Sequence, residues 1–165
     1  MSKSLLIIGA GGHGKVVKEV AEAVGYDKIA FLDDNSAEAV GKIADSKQFV
    51  QEYQAGVVGI GNNKFRNELL QRLEQEGYEI PVLLHPTAYI SKTAVIGKGT
   101  VVEPKAIVNA NSKVGSGCII SVGAIVDHDV VLEDCVHVNA GAICKAGSFV
   151  ARETKLEAGQ VVKGY

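Results

Sequence analysis

One histidine and two carboxylates, Asp127, His128 and Asp129, stand together inside the stretch "IISVGAIVDHDVV", which is otherwise apolar or small. Imidazole is the side chain that ordinarily titrates nearest neutrality, and a carboxylate beside it shifts that titration, so the cluster suits proton transfer. A second stretch suits anion binding. "GAGGHG", Gly9 to Gly14, follows an apolar run and opens a helical pattern. Glycines there let the backbone approach an anion, and a helix N-terminus presents unbonded N–H groups and partial positive charge. Asp33 and Asp34 follow the next apolar run, where a ribose-binding carboxylate belongs. One βαβ half is too little for a full dinucleotide crevice. His13 and Lys15 add hydrogen-bonding and cationic side chains at the loop, so a mononucleotide with a diphosphate tail is the expected ligand.

The elements that must position these groups follow two different patterns. Over residues 1–84, strand and helix signals alternate. "SLLIIG", "KIAFLDD" and "AGVVGIGN" read as strands, and "YEIPVLLH" as a fourth whose Pro81 favours an edge or an end. "GKVVKEVAEAVGY" carries Val16, Val17, Val20 and Val24 at helical spacing. "KFRNELLQRLEQEG" places Phe65, Leu69, Leu70 and Leu73 on one face, with Asn62 or Asn63 as N-cap and Gly77 as stop. Alternation of this kind predicts a small parallel sheet covered by helices.

From residue 85 to 165 the period becomes six. Ile90, Ile96, Val102, Val108, Val114, Ile120, Val126, Leu132 and Val138 recur at that spacing, and Cys144, Val150, Leu156 and Val162 continue it. Two positions earlier come small residues such as Ala88, Ala94, Ala106, Ala124 and Ala142. Neither an α-helix nor an array of hairpins has this period. It predicts a parallel β-helix whose aliphatic residues point inward and stack from coil to coil. His128 lies two positions past inward Val126, which turns it off the core toward a corner. Cys118, Cys135 and Cys144 fall on small or apolar positions without CxxC spacing, so they read as reduced packing thiols, and no metal site is expected.

Together, "GAGGHGKVV", "FLDD", "GIGNNKFR", "LLHPTAYIS", the hexapeptides, "GAIVDHD" and "VHVNAGA" resemble the NeuD/PglD-type bacterial sugar acetyltransferases. The resemblance implies a small Rossmann-like domain that binds a nucleotide sugar, followed by a left-handed parallel β-helix. It implies a homotrimer with active sites between subunits, acetyl-CoA as co-substrate and a UDP-linked 4-amino-sugar as acceptor of N-acetylation. By the same resemblance His128 is the general base and Asp129, where many relatives have Glu, orients it. His137 would contact the acetyl group, and a main-chain N–H near Ala146 or Gly147 the thioester oxygen. Gly9, Gly11, Gly12, His13, Gly14 and Lys15 would cradle the diphosphate. Asp33 and Asp34 would meet the uracil and ribose, with Gly61, Asn62 and Arg66 lining the same crevice.

The chain departs from the family pattern twice. Ser121 stands where relatives usually have asparagine, and "LEAGQVVKGY" takes the place of a further coil that helps bind CoA. O-acetylation of a sialic acid or other glycan, and a non-catalytic nucleotide-sugar scaffold, are the competing readings. A formal net charge of -2 without a basic cluster argues against a nucleic-acid partner. The apolar run near the start is too short for a signal-peptide core or a membrane span, so no membrane insertion and a cytoplasmic location are expected.

Overall fold

The structure, a computed structural model, describes residues 3–165. Contacts divide the chain into two units, Met1–Pro81 and Val82–Tyr165.

The first unit is built on three parallel strands, β1 (Ser4–Ile8), β2 (Lys28–Leu32) and β3 (Ala55–Val58), in the order β2-β1-β3. Central β1 is apolar along its length because both faces are covered; Leu5 to Ile8 are at most 1% exposed. Helix α1 (Gly12–Ala23) buries Val17, Val20 and Ala21. Helix α2 (Asn63–Glu76) starts at Asn62, whose side chain accepts from the Phe65 N–H, and stops at Gly77 in the left-handed conformation. Its buried face differs from the expected one. Phe65 is 40% exposed, and Arg66 turns inward beside Leu69, Leu70 and Leu73. The expected fourth strand is also corrected. Glu79 makes a single bridge to Ala55, whereas Leu83–Leu84 pair with Val101–Val102 of the second unit. Pro81 lies between the two pairings and cannot donate to either, so the strand cannot run through.

The second unit is a left-handed parallel β-helix of two-residue strands on three faces. One face stacks Leu83–Leu84, Val101–Val102, Ile119–Ile120 and His137–Val138. The second runs from Tyr89–Ile90 through Ile107–Val108, Ile125–Val126 and Ile143–Cys144 to Val161–Val162. The third stacks Val95–Ile96, Lys113–Val114, Val131–Leu132 and Phe149–Val150. The second residue of each strand points inward, as the period predicted, and these residues form one apolar column closed at the corners by Ala106, Cys118, Ala124 and Ala142. All three cysteines are buried and unoxidised. Each turn needs a left-handed residue, and it too recurs every sixth position: Gly99, Lys105, Asn111, Gly117, Gly123, Asp129, Cys135, Gly141, Gly147, Glu153 and Gly159.

Candidate active site

His128 sits on the corner after Ile125–Val126, with its side chain 45% exposed. Its Nδ1 lies 2.7 Å from Asp129 Oδ2. A carboxylate only accepts, so Nδ1 is the protonated nitrogen and Nε2 is the edge left to take up a proton. The Asp129 hydrogen bond, helped by the charges of Asp127 and Asp129, holds the imidazole above its ordinary pKa despite some desolvation. The same bond draws Asp129 below the usual carboxylate range, and Asn111 and Tyr165 add to it.

Asp127 does something different. Its Oδ1 accepts the His128 N–H at 2.7 Å and the Asn109 amide at 3.1 Å, and these bonds lower its pKa. Asp127 is therefore a bracket for the corner, while Asp129 is the partner of the imidazole. Stacking the hexapeptides shows why the asparagines matter. Asn109 and Asn111 stand one coil before Asp127 and Asp129, at equivalent positions of the repeat. The period alone places Asn109 in register with Asp127 but assigns neither asparagine a role.

The groups expected around the acetyl moiety are engaged within the chain. The Gly147 N–H donates to the His128 carbonyl at 3.0 Å, as part of the coil-to-coil ladder. The Gly147 N–H is thus committed to the ladder between coils. The Ala146 N–H adds to the lowering of the Asp127 carboxyl. His137 meets Ser121, its Nε2 2.9 Å from the Ser121 Oγ. Beside them Glu103 is only 6% exposed and accepts the Val122 N–H at 2.9 Å, and burial pushes its carboxyl upward.

In the first unit the glycine loop behaves as two pairs. A Cβ on Gly14 would lie 2.0 Å from the Gly9 carbonyl oxygen, and one on Gly9, whose φ is +101°, would lie 2.6 Å from Ile60. These two allow α1 to approach the sheet. Gly11 and Gly12 face open space. No side chain caps α1, and its first turn carries no acid, so the N–H groups there remain suited to an anion. Lys15 at the rim pairs with Glu38 at 2.8 Å, both half exposed.

Asp33 is placed at the loop but is spent on it. It accepts from the N–H groups of Ala10 (2.9 Å), Asn35 (2.8 Å) and Ser36 (3.0 Å), which hold it below its ordinary pKa. Asp34 is exposed, and its Oδ1 accepts from Ile43 at 3.0 Å. Gly61 faces open space beside the cap residue Asn62. Arg66 does not line this surface. It is 1% exposed, and its guanidinium donates to the Ile60 carbonyl at 3.0 Å, the Gly61 carbonyl at 3.3 Å and Asn63 Oδ1 at 2.7 Å. It fixes the loop from beneath, a role that the apolar period of α2 gave no means to see. Among the described residues no cluster could hold a metal ion, and no helix is long and apolar enough to cross a membrane.

A hexapeptide β-helix carrying an exposed His–Asp pair, following a small parallel α/β unit with a glycine-rich loop at a helix start, is an arrangement suited to a sugar acyltransferase. Comparison with known proteins names the family. Residues 4–73 match the PglD N-terminal domain model. UDP-N-acetylbacillosamine N-acetyltransferase of Bacillus subtilis (strain 168) is 34% identical over 111 residues, 61% of this chain and 51% of that protein. The chain thus aligns with about half the length of that curated relative. The acetyltransferase domain of PglB from Neisseria gonorrhoeae FA1090, solved in complex with acetyl coenzyme A, superposes with a TM-score of 0.93 at 36% identity, covering 99% of this chain and 83% of that one. A histidine-to-asparagine mutant of perosamine N-acetyltransferase from Caulobacter crescentus, in complex with CoA and GDP-perosamine, gives 0.89 at 27% identity, covering 98% and 89%. The chain belongs to the PglD-type family of bacterial sugar acetyltransferases.

Proposed function

We propose that this protein transfers the acetyl group of acetyl-CoA to the amine of a UDP-linked 4-amino-sugar, with His128 as general base and Asp129 as its orienter. The observation that carries the reading is the 2.7 Å Nδ1–Oδ2 pair on a half-exposed corner. It fixes the tautomer, turns Nε2 outward and stabilises the imidazolium that proton transfer creates. The amine nitrogen attacks the thioester carbonyl carbon, a C–N bond forms and the C–S bond breaks. The proton leaves nitrogen for Nε2 and passes on to the departing thiolate, giving CoA thiol. No covalent enzyme intermediate is needed; holding amine and thioester together supplies much of the acceleration. The open N–H groups at Gly11 and Gly12, with His13 and Lys15, support a diphosphate at the loop. The relatives described above are named for amino-sugar N-acetylation, which favours an amine over a hydroxyl acceptor.

The assembly belongs to the same reading. Tyr89, Ile107, Ile125, Ile143 and Val161 occupy the outward position on one face of the β-helix, in register over its coils. Tyr89 is 59% and Val161 53% exposed, and this apolar ladder supports a homotrimer whose neighbours cover it and wall the acetyl-CoA site. A monomer in light scattering at micromolar concentration would remove that part.

The deciding experiment follows thiol release from acetyl-CoA with UDP- and GDP-linked 4-amino-sugars, for wild type and His128→Ala. Amino-sugar-dependent release that His128→Ala lowers by about 100-fold or more, with nucleotide-sugar affinity unchanged, is expected. Release that survives in His128→Ala would remove the base. Preference for a hydroxyl acceptor would make the protein an O-acetyltransferase.

A further inference from the structure

The segment after Val161–Val162 returns to the His128 corner. The Lys145 N–H donates to the Val162 carbonyl at 3.1 Å, and the Tyr165 N–H donates to the Ala146 carbonyl at 3.2 Å. Gly164 lies so close that a Cβ there would fall 1.8 Å from the Ala146 oxygen. The Tyr165 ring packs directly on Gly147, where a Cβ would come within 1.9 Å of ring Cε1. Its centroid is 6.3 Å from that of the His128 imidazole, the planes inclined at 55°. Tyr165 is nevertheless 82% exposed, so burial of the ring is not what the contact achieves.

We propose that Tyr165 is a positioning residue for the His128–Asp129 pair, sharing the Asp129 carboxylate through its hydroxyl, and that Gly147 is the gap that admits its ring. The proposal rests on the reading of His128 as base. The His128 Nδ1–H holds the Asp129 carboxylate at 2.7 Å, and the Asn111 amide and the Tyr165 hydroxyl help to draw that carboxyl below its ordinary range. The charged groups acting on His128 are Asp129 and Asp127 of its own corner, and Tyr165 bears on it from the returning segment. A carboxylate that shares its charge with a phenol attracts the imidazolium less, so Tyr165 tempers the rise that Asp129 imposes. The consequence is a larger neutral fraction of the base near pH 7, together with a carboxylate held in one rotamer.

The test is an NMR titration of the His128 ring in the intact protein, for wild type, Tyr165→Phe and Gly147→Ala, with acetyl transfer measured alongside. Tyr165→Phe keeps the ring and removes the hydroxyl. It raises the His128 pKa by about 0.3 unit, moves the acid limb of kcat upward and lowers kcat by up to about twofold near neutrality, with the KM for acceptor unchanged. Gly147→Ala evicts the ring and reproduces the shift, but adds none in a Tyr165→Ala background. A His128 pKa unmoved or lowered in Tyr165→Phe overturns the proposal, as does faster turnover in Tyr165→Ala, which would mark the ring as an obstruction. The titration does not depend on turnover. Loss of the catalytic reading would show as absent thiol release with the pKa shift intact.

Discussion

Substituting alanine separately at Gly14 and at Gly12 should move stability and binding in different combinations, and the size of each effect follows from where the new methyl goes. At Gly14 the Cβ would stand 2.0 Å from the Gly9 carbonyl oxygen and 2.9 Å from its carbon, both backbone atoms. Real Cβ atoms essentially never come under 3.0 Å, so α1 must back away from the strand end by at least the 1.0 Å difference. Val17, Val20 and Ala21 are at most 1% exposed against the sheet and move with it. Overpacking of this kind costs about 2 kcal/mol or more. That corresponds to a fall in Tm of roughly 6 °C for a chain of this size. At Gly12 nothing lies within 4 Å and φ is not left-handed, so the fold tolerates the methyl. Helix propensity there even adds up to about 1 kcal/mol. The methyl instead occupies the face on which a diphosphate would rest. Losing one N–H contact to a charged oxygen weakens binding about tenfold or more. Differential scanning calorimetry and titration with a UDP-sugar read both quantities. Gly14→Ala should lose stability and affinity together; Gly12→Ala should keep or gain stability and lose affinity. Unchanged affinity in Gly12→Ala would refute the argument that the nucleotide lies against this loop.

Three further outcomes follow from the same geometry. Asp129→Gly puts glycine at a corner equivalent to those of Gly123 and Gly141, so Tm should not fall. Turnover should drop about 10- to 100-fold, and the His128 pKa should fall, moving the acid limb of the rate profile to lower pH. Arg66→Ala strands the Ile60 and Gly61 carbonyls and should cost about 3 kcal/mol in urea unfolding, whether or not nucleotide is present. Asp33→Asn should lower Tm at neutral pH. The folded-state pKa of Asp33 is held below its unfolded value near 3.8, so its contribution is present above that pH and lost as pH falls through the lowered value. The wild-type and Asp33→Asn melting curves should therefore draw together as pH falls below the carboxylate range, and a gap that does not narrow in acid would contradict the assignment.

The β-helix was legible because one geometric fact, six residues per face and corner, repeats without interruption, and every inward aliphatic position lies in the observed core. The two helices were legible through Asn62 and Gly77 and through their valines and leucines. What stayed hidden was decided by tertiary partners. Arg66, about 100° round the helix from Phe65, falls on the arc of Leu69, Leu70 and Leu73, but its charge argues against burial there, and the carbonyls of Ile60 and Gly61 that receive its guanidinium are what keep it inside. Leu83–Leu84 has the composition of a sheet strand; pairing with Val101–Val102, not its own residues, assigns it to the β-helix. Asp33 occupies the place of a ribose-binding carboxylate, but three backbone N–H groups claim its oxygens. Tyr165 has no sequence signature at all, because its relation to His128 exists only through the pairing of Val161–Val162 with Ile143–Cys144.

The adjacency of His128 and Asp129 poses a geometric problem that the fold answers. Neighbouring side chains on an extended strand point to opposite faces, so an imidazole and the next residue's carboxylate would not meet. They meet here at 2.7 Å because Asp129, with φ of 57°, is the left-handed residue of its corner. The chain turns from one face of the β-helix to the next at these residues, and the carboxylate meets Nδ1. Glycine takes this conformation most easily and holds it at Gly123, Gly141 and Gly147, and aspartate and asparagine tolerate it better than most other types. Asn111, one coil earlier, is left-handed as well and offers its amide to Asp129. The proton-transfer pair thus occupies a strained position that every coil must contain. Moving the pair one residue along would place the acid at Val130, which is buried in the core, and leave the histidine in the left-handed position without a carboxylate to orient it.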